Sequence, residues 1–303
     1  MKIKPVTLIA EVGSNFDGDL DTAKKYVRLA KEAGADAVKF QTLIKSKIIS
    51  HQTWTDGAVV HNPVFDIFKS LELPESWHFE LKKVADEVGI AFASTPFYLE
   101  AVDFLEKVDV AFYKIASGDI TFFPLIEAIG RKQRRVILST GASTPEDIER
   151  ALEMLRKGGT TDISILHCVS NYPPQWDEMN LRAIVTMRER HQVPVGISDH
   201  TPGITVPIAS VALGGTLIEK HVTVDKTLPG PDHHFAITFG EFAEMATAVR
   251  NLEKALGDGI KRPAGDEVNR QTRIRRGLYN PETFEPLASG SGIWLRPHHT
   301  RPQ

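Results

Sequence analysis

The sequence predicts an α/β fold, a (β/α)8 TIM barrel in a single domain with an irregular C-terminal extension. Eight short β-rich runs alternate with helical patterns over about 250 residues, the usual length of such a barrel. Most of the runs are continuously apolar, as strands that are covered on both faces should be. An open doubly wound sheet is the alternative. Against it, no Gly-x-Gly-x-x-Gly follows any run and no Gly-x-x-x-x-Gly-Lys-Ser/Thr occurs.

The predicted strands are short, and segments of helical periodicity separate them. The strands are Leu8–Val12, Ala37–Gln41, Ile90–Ser94, Phe112–Ala116, Val136–Thr140, Ile163–Val169, Val195–Ser198 and Thr216–Ile218. Helical patterns with cap, first-turn proline or terminal glycine signals are Leu20–Ala33, Pro74–Val88 and Thr144–Arg156. We place the barrel domain at residues 1–257 and the extension at residues 258–303.

Composition and charge exclude several classes of protein. Hydrophobic residues make up 42% and charged residues 25% of the 303 residues, as in globular proteins. The net charge of −3 predicts no affinity for nucleic acid or for membranes. No apolar run is long enough to be a signal peptide or to span a bilayer. The single cysteine, Cys168, rules out an internal disulfide and suits a cytoplasmic protein.

Two segments depart from the regular alternation. Thr42–Leu73 follows the second predicted strand and carries His51 and Trp54. Segments of this length in compact domains are often lids or binding loops. Lys261–Gln303 is rich in Arg, Pro and Gly and has weak periodicity, which predicts an irregular extension with a loose Arg296–Gln303 end.

Two histidines follow the last two predicted strands. The stretch from Val195 to Thr223 reads as strand, turn, helix and strand, a unit that makes its strands parallel. His200 and His221 are therefore expected to lie side by side. Two histidines with nearby carboxylates can bind a divalent metal and leave positions open for substrate. For either histidine alone, the alternative is a residue that caps its strand at a wet surface.

Other polar residues collect at the predicted strand ends, where a barrel builds its active site. The candidates among them are Glu11, Gln41, Thr95, Ser117, Ser139, Ser170, Tyr172, Glu219 and Asp232. The turns that begin at Ser117 and Ser139 each contain a glycine. They supply hydroxyl and backbone N–H groups that suit phosphate oxygens.

Lys39 and Lys114 are unusual because each lies inside an apolar run. A lysine is rarely buried in a strand unless it has an anionic partner. We favour a bound phosphate or carboxylate as that partner, because two lysines occur together with the Ser/Thr-Gly turns. A Schiff base in an aldolase is the second interpretation. A structural ion pair with Glu11 or Glu219 is the third.

These strand-end motifs together resemble the N-acetylneuraminate (sialic acid) synthase family. The matching stretches, in chain order from about Ala10 to Leu256, are AEVGSNFDGDL, GADAVKFQT, ASTPF, YKIASGDI, ILSTGAS, LHCVSNYP, GISDHTPG, IEKHVT and GPDHHFAIT. Any one motif is a weak signal. Nine motifs in the same order are highly specific.

The resemblance implies a (β/α)8 barrel that condenses phosphoenolpyruvate with an amino-sugar aldehyde, N-acetylmannosamine or a relative. It implies a divalent metal, Mn²⁺ or Mg²⁺, bound by His200 and His221, and it implies a homodimer. By the same resemblance, Glu11, Glu219 and Asp232 are catalytic and face the sugar and the metal. The implied substrate-binding residues are Lys39, Gln41, Thr95, Lys114, Ser117, Ser139, Ser170 and Tyr172.

The chain departs from the family pattern at two places. Phe16 stands where the family usually has His, at a position expected to border the site. Gly277–Gln303 does not resemble the antifreeze-like C-terminal domain of the family, so we expect a more open acceptor side. Alternative functions are another phosphoenolpyruvate-dependent synthase or aldolase with a different aldehyde, and a catalytically silent sugar-binding homologue.

Overall fold

A computed structural model of the chain describes residues 5–69 and 71–299. The chain divides into two compact units, Met1–Ala255 and Leu256–Gln303. The first unit contains the parallel strands and their helices. In its described residues, the second contains one short helix and a small antiparallel sheet.

The secondary structure alternates between strands and helices through most of the chain. The strands of the described residues are β1 (Thr7–Glu11), β2 (Ala37–Thr42), β3 (Gln52–Thr55), β4 (Ala58–His61), β5 (Ala91–Pro96), β6 (Tyr113–Ile115), β7 (Val136–Ser139), β8 (Ile163–Cys168), β9 (Val195–Asp199), β10 (Leu217–Thr223), β11 (Ile237–Thr238), β12 (Gly277–Tyr279), β13 (Pro286–Leu287) and β14 (Ile293–Leu295). The helices are α1 (Leu20–Glu32), α2 (Lys45–Ile48), α3 (Val64–Lys69), α4 (Glu75–Val88), α5 (Leu99–Val108), α6 (Phe123–Gly130), α7 (Pro145–Gly158), α8 (Ala183–His191), α9 (Thr205–Ala212), α10 (Phe239–Leu256) and α11 (Glu267–Ile274).

The first unit is a closed parallel barrel. Its strands pair in the order β1, β2, β5, β6, β7, β8, β9 and β10, and β10 pairs with β1 to close the ring. In register, Glu11 lies opposite Lys39 on one side and His221 on the other. The predicted (β/α)8 barrel is therefore confirmed, with β11 added in parallel beside β10.

The predicted strands match the barrel strands within about two residues, except at the last one. The eighth strand is predicted to stop at Ile218, whereas β10 continues to Thr223. Glu219 and His221 therefore lie within the strand rather than beyond it. The sequence does not predict this part of the strand, because it contains charged residues. Their buried partners come from other strands and are present only in the folded barrel.

The helix ends follow the sequence signals. Thr144 caps α7. Its side chain accepts a hydrogen bond from the backbone N–H of Asp147, and the Asp147 side chain accepts one from the backbone N–H of Thr144. Gly159 ends this helix at a φ of 105°, a conformation that favours glycine. Among the described residues, no helix combines the length and the apolar character that crossing a membrane requires.

The barrel interior has two layers of side chains with opposite character. The apolar layer comprises Ile9, Ala37, Ala93, Phe112, Ile137, Leu166 and Leu217. Strand β9 contributes Gly196 at this level, where a Cβ would lie 2.3 Å from the Leu217 carbonyl oxygen. Two residues further along each strand, on the same face, lies the polar layer. Its members are Glu11, Lys39, Thr95, Lys114, Ser139, Cys168, Ser198 and Glu219.

The segment between β2 and α4 is folded rather than an open loop. It contains α2, the hairpin of β3 and β4, and α3. Asp56 and Gly57 form the hairpin turn, both with positive φ, and this Asp-Gly pair is the sequence signal that predicts such a turn. All residues of the two hairpin strands are exposed. The predicted role of this segment as a lid or binding loop stays a prediction.

The C-terminal extension has more regular structure than the sequence predicts. Strand β12 pairs antiparallel with both β13 and β14. These strands are only two or three residues long, too short to show an alternating pattern in the sequence. Of the predicted loose end, residues 300–303 lie outside the described residues.

Candidate active site

Four charged side chains of the polar layer form a continuous row of ion pairs. Lys39 Nζ lies 2.7 Å from Glu11 Oε2 and 3.9 Å from Glu219 Oε2. Lys114 Nζ lies 3.6 Å from Glu219 Oε1. All four side chains are buried, with at most 6% of any of them exposed. The two lysines and two carboxylates come from β1, β2, β6 and β10, so the closed barrel is what joins them.

Neutral side chains form hydrogen bonds with three of these four charged side chains. Gln41 Nε2 donates to Glu11 Oε1 at 2.9 Å. Lys39 donates to Thr95 Oγ1 at 3.0 Å. Lys114 donates to Ser139 Oγ at 2.6 Å. These predicted residues therefore lie together in one pocket, on the five adjacent strands β1, β2, β5, β6 and β7.

The two carboxylates differ in acidity. Burial raises the pKa of Glu11 to about 7, although Lys39 acts against this shift. Burial also acts to raise the pKa of Glu219, but Lys114, Lys39 and the hydroxyl of Ser198 outweigh it and lower the pKa to about 2. At neutral pH, Glu219 is ionised and Glu11 can exchange a proton. Such a pair suits one group that transfers protons beside one fixed negative charge.

The two lysines also differ. Burial acts to lower the pKa of Lys39, but Glu11 and Glu219 outweigh it, so that this pKa is raised. Burial lowers the pKa of Lys114, and Glu219 offsets this only in part. Lys39 is therefore already paired, whereas Lys114 has weaker compensation. An additional anion next to Lys114 would stabilise its charged form.

His200 and His221 lie side by side at the rim of the polar layer, with ring centroids 5.4 Å apart. Burial, followed by the proximity of His221, lowers the pKa of His200 to about 4. Burial also lowers the pKa of His221. Both rings are therefore neutral at pH 7. The Nδ1 atom of His200 lies 3.1 Å from the Val169 carbonyl oxygen, which orients the ring and leaves its other nitrogen available.

Asp232 approaches the histidines from the loop after β10. Its Oδ2 atom lies 3.9 Å from His221 Nδ1 and accepts a hydrogen bond from Ser14 Oγ at 3.0 Å. Gly13 permits this approach, because a Cβ there would lie 2.7 Å from the same Asp232 oxygen. The next residue, His233, is buried between Thr223 and Asp17 and anchors the loop.

The residues fit a divalent metal as a partial site. His221 Nδ1 is buried and has no hydrogen-bond partner within the described residues. Both imidazoles are neutral, which is the form that binds metal. In the described parts of the chain, no group of three His, Cys, Asp or Glu side chains is arranged to enclose an ion. His200 and His221 could therefore supply two nitrogen ligands and leave the other positions of an ion to water or substrate.

Ser117, Ser170 and Tyr172 lie on the adjacent part of the rim. Ser117 Oγ accepts a hydrogen bond from the Gly141 backbone N–H at 2.9 Å. A Cβ on Gly141 would lie 2.1 Å from Ser170 Oγ, so this turn requires glycine. Ser170 Oγ is buried without a described partner. The Tyr172 ring lies 4.3 Å from that of His200 and is half exposed.

One sequence expectation about the site is wrong, and two contributors were missed. Phe16 does not border the pocket. It is buried in the core outside the barrel, against Phe40 and Trp77. Ser14 and Ser198 hold Asp232 and Glu219, but neither was selected as a candidate. Their positions at the ends of strands β1 and β9 were the available signal.

Comparisons with known proteins identify relatives along most of the chain. The NeuB family model matches residues 26–261. A Methanocaldococcus jannaschii protein described as uncharacterized is 44% identical over 277 residues, which cover 91% of this chain and 80% of that protein. The N,N'-diacetyllegionaminic acid synthase of Campylobacter jejuni is 38% identical over 283 residues, covering 91% of this chain and 85% of that enzyme.

A solved structure agrees with these matches. The crystal structure of N-acetylneuraminic acid (sialic acid) synthetase from Leptospira borgpetersenii superposes with a TM-score of 0.80 at 34% identity. The match covers 88% of this chain and 90% of that one. Together with the barrel and its pocket, these similarities show that the chain belongs to the NeuB family and is a synthase.

Proposed function

We propose that the protein condenses phosphoenolpyruvate with an amino-sugar aldehyde, N-acetylmannosamine or a relative, to give a nonulosonic acid and phosphate. The observation that carries this proposal is the polar layer, in which two lysines and two carboxylates lie buried together. Such a layer is costly to bury and contributes little to packing. Its composition suits an anionic substrate and a proton transfer, and the family membership supports the same reaction class.

Lys114 is the proposed anchor of phosphoenolpyruvate. Its ammonium group lies at hydrogen-bond distance from Ser139, on the strand that leads into the Gly141 turn. Ser117 and Ser170 border that turn and supply hydroxyl groups for phosphate or carboxylate oxygens. Lys39 and Tyr172 complete the proposed contacts. Fixing the anion at several points orients its reacting carbon toward the aldehyde.

Glu11 is the proposed base. Its pKa of about 7 lets it accept a proton at neutral pH and return it. Gln41 holds one of its oxygens, which fixes the orientation of the carboxylate. Glu219 stays ionised between the two lysines, so that it offsets their charge and stabilises positive charge on the substrate.

His200 and His221 are the proposed ligands of Mn²⁺ or Mg²⁺, with Asp232 next to them. Such an ion, when bound, polarises the aldehyde carbonyl. The histidines are held for this role by Val169 and by the strand β10 backbone. The proposed role of Asp232 is to orient a sugar hydroxyl or a water molecule. The hydrogen bond from Ser14 and the anchored loop support this role, because they fix its carboxylate.

The proposed reaction balances without a further reactant. C3 of phosphoenolpyruvate attacks the aldehyde carbon, whose oxygen takes up a proton and becomes a hydroxyl. Water adds to C2, where positive charge develops, and Glu11 accepts a proton from it. Glu11 passes this proton on to the aldehyde oxygen. The C2–O bond to phosphate then breaks, the new C2 hydroxyl gives its proton to the departing phosphate, and inorganic phosphate and the 2-keto acid result.

A phosphate-release assay with phosphoenolpyruvate and a panel of aldehydes tests the proposal. The panel contains N-acetylmannosamine, a relative with a second acetamido group, and arabinose 5-phosphate, each with Mn²⁺ and with a chelator. We expect release only with amino sugars and only with the metal. His221→Ala should abolish activity, whereas His78→Ala, which alters a histidine buried outside the barrel, should not. Release with arabinose 5-phosphate alone would favour a different synthase.

A Schiff-base aldolase is the second candidate. The lowered pKa of Lys114 favours it, because a larger fraction of the amine is then in the neutral, nucleophilic form at neutral pH. Borohydride in the presence of an aldehyde or keto acid would then trap a covalent adduct on Lys114. We expect no adduct, since Lys114 is bonded to Ser139 and to the Ile115 carbonyl oxygen.

We also propose that the protein acts as a homodimer in the cytoplasm. The resemblance to the synthase family supports the dimer, and the buried, free Cys168 suits a reducing compartment. Light scattering coupled to size exclusion measures the mass directly. A mass of one chain at micromolar concentration would contradict the dimer.

A further inference from the structure

We propose that the buried ion pair of Asp199 and Lys220 is a positioning device that sets His200 and His221 for the divalent ion. This inference rests on the proposed function, which assigns the ion to those histidines. It concerns the side of the strands that faces away from the pocket. In the described part of the chain, the side-chain hydrogen bonds and ion pairs of Asp199 and Lys220 join them to each other and to Thr201.

The pair lies on the outer face of the barrel wall. Ser198 and Glu219 point inward, and Ser198 Oγ donates a hydrogen bond to Glu219 Oε1 at 2.8 Å. Their chain neighbours, Asp199 and Lys220, therefore point outward. They lie opposite each other in register, with Lys220 Nζ 2.5 Å from Asp199 Oδ2 and both side chains fully buried.

A third residue ties the pair to the turn that carries His200. The Asp199 carboxylate accepts the backbone N–H of Thr201 at 3.1 Å and its hydroxyl at 2.9 Å. Lys220 also donates to the carbonyl oxygen of Thr201. The residues on both sides of His200 are thus held by Lys220, which itself directly precedes His221 in strand β10.

Stability alone is a poor explanation for this arrangement. Two well-packed apolar residues of similar size are often at least as stable as a buried ion pair, since they avoid the loss of hydration. Apolar residues, however, cannot define the direction of a turn through hydrogen bonds. The Asp199–Lys220 pair bonds the backbone at two points and so restricts where the two imidazole rings lie. Residues that orient metal ligands in this way commonly change metal affinity about 10- to 100-fold when replaced.

The test replaces both partners by apolar residues of similar size. The double variant Asp199→Leu with Lys220→Met should fold, with a Tm below that of the unchanged protein, because the buried polar groups of Thr201 lose their partners, but above that of Lys220→Met alone. Its Kd for Mn²⁺, measured from the electron paramagnetic resonance signal of free Mn²⁺, should rise at least tenfold. Lys220→Met alone should lower the Tm, because it leaves the Asp199 carboxylate buried without its partner.

The matched control is Thr42→Val, which removes a buried hydroxyl bonded to His78 and Ser94 on the outer face of β2 and β5. Mn²⁺ affinity should not change in this variant. Unchanged Mn²⁺ affinity in the Asp199/Lys220 double variant would overturn this inference and leave the proposed metal site intact. Failure of that variant to fold would do the same. Mn²⁺ binding that is absent, or that survives His221→Ala, would overturn the proposed metal site together with this inference.

Discussion

The apolar layer and the polar layer of the barrel interior lie on the same strands, about 7 Å apart, yet they behave as opposites. Each polar side chain stands two residues after an apolar one, as Glu11 follows Ile9 and Lys114 follows Phe112. The side chains of the apolar layer are at most 2% exposed. The polar layer has charges that only partly compensate each other, together with buried atoms, such as Glu219 Oε2, that lack a hydrogen-bond partner within the described residues.

This difference means that residues that stabilise the barrel and residues proposed to catalyse the reaction lie within a few ångströms of each other. Side chains of the apolar layer lose contact with water and gain packing on folding, so they stabilise the barrel. Side chains of the polar layer lose their interactions with water on folding, and their contacts with one another replace only part of that free energy. We therefore expect substitutions in one layer to change the free energy of unfolding, and substitutions in the other to change catalysis.

The largest effect is expected for Glu11→Gln. This change keeps the shape of the side chain but removes the proposed base, so kcat should fall by about 10²- to 10⁴-fold. The Tm should change little, because the new amide oxygen can accept from Lys39 while its NH2 group donates to Gln41 Oε1, once the Gln41 amide is flipped. An unchanged kcat would show that the polar layer transfers no proton through Glu11 and would end this assignment.

The pH dependence should report the same group. Burial raises the pKa of Glu11 to about 7, and a base acts only when deprotonated. The value of kcat/KM should therefore rise with pH, reach half its plateau near pH 7, and lie about 100-fold below the plateau at pH 5. The profile of Glu11→Gln is the control, since it shows the titration of the substrate alone. Identical profiles for both proteins would contradict the prediction.

Lys114→Met tests the proposed anion anchor. The substitution keeps an apolar stem and removes a buried charge, so the KM for phosphoenolpyruvate should rise at least tenfold, because an unpaired buried charge is costly. The Tm should fall, but by less than in Lys220→Met, because Lys39 still lies next to the buried Glu219 carboxylate. Lys82→Met, which removes a lysine on the surface of α4 that is paired with the exposed Asp86, is the control and should change neither quantity. A normal KM would show that the anion binds elsewhere.

The smallest effect is expected in the apolar layer. Ile137→Val removes one methyl group two residues before Ser139 and should cost about 0.5–1.5 kcal/mol of unfolding free energy. Urea unfolding measures this change, and kcat/KM should be unaltered. A loss of kcat/KM at unchanged stability would show that the two layers are not independent.

Much of the barrel could be predicted from local sequence. Strands covered on both faces are apolar runs, and the ends of helices such as α7 carry caps and glycines that act within a few residues. Prediction failed where partners were distant or elements short. The end of β10 looked too polar for a strand, and β12 to β14 were too short for a pattern.

The site shows the same division. Residue types and their order identified Lys39 and Lys114 as unusual, since a buried lysine needs an anion wherever it lies. Which anion each lysine meets could not be read from the sequence. Phe16 shows the reverse error, because a position near a motif in sequence can point to the opposite face of the wall.

The sequence by itself determined the class of fold, the set of polar residues at the strand ends and the family they resemble, because these depend on residue type and spacing along one chain. Only the tertiary structure decided how the set is connected. Pairing of β10 with β1 brings Glu219 beside Lys39 and His221 beside Glu11, across more than 170 residues of chain. Charges, burial and hydrogen bonds act through space, so the difference in acidity between Glu11 and Glu219 exists only once the barrel is closed.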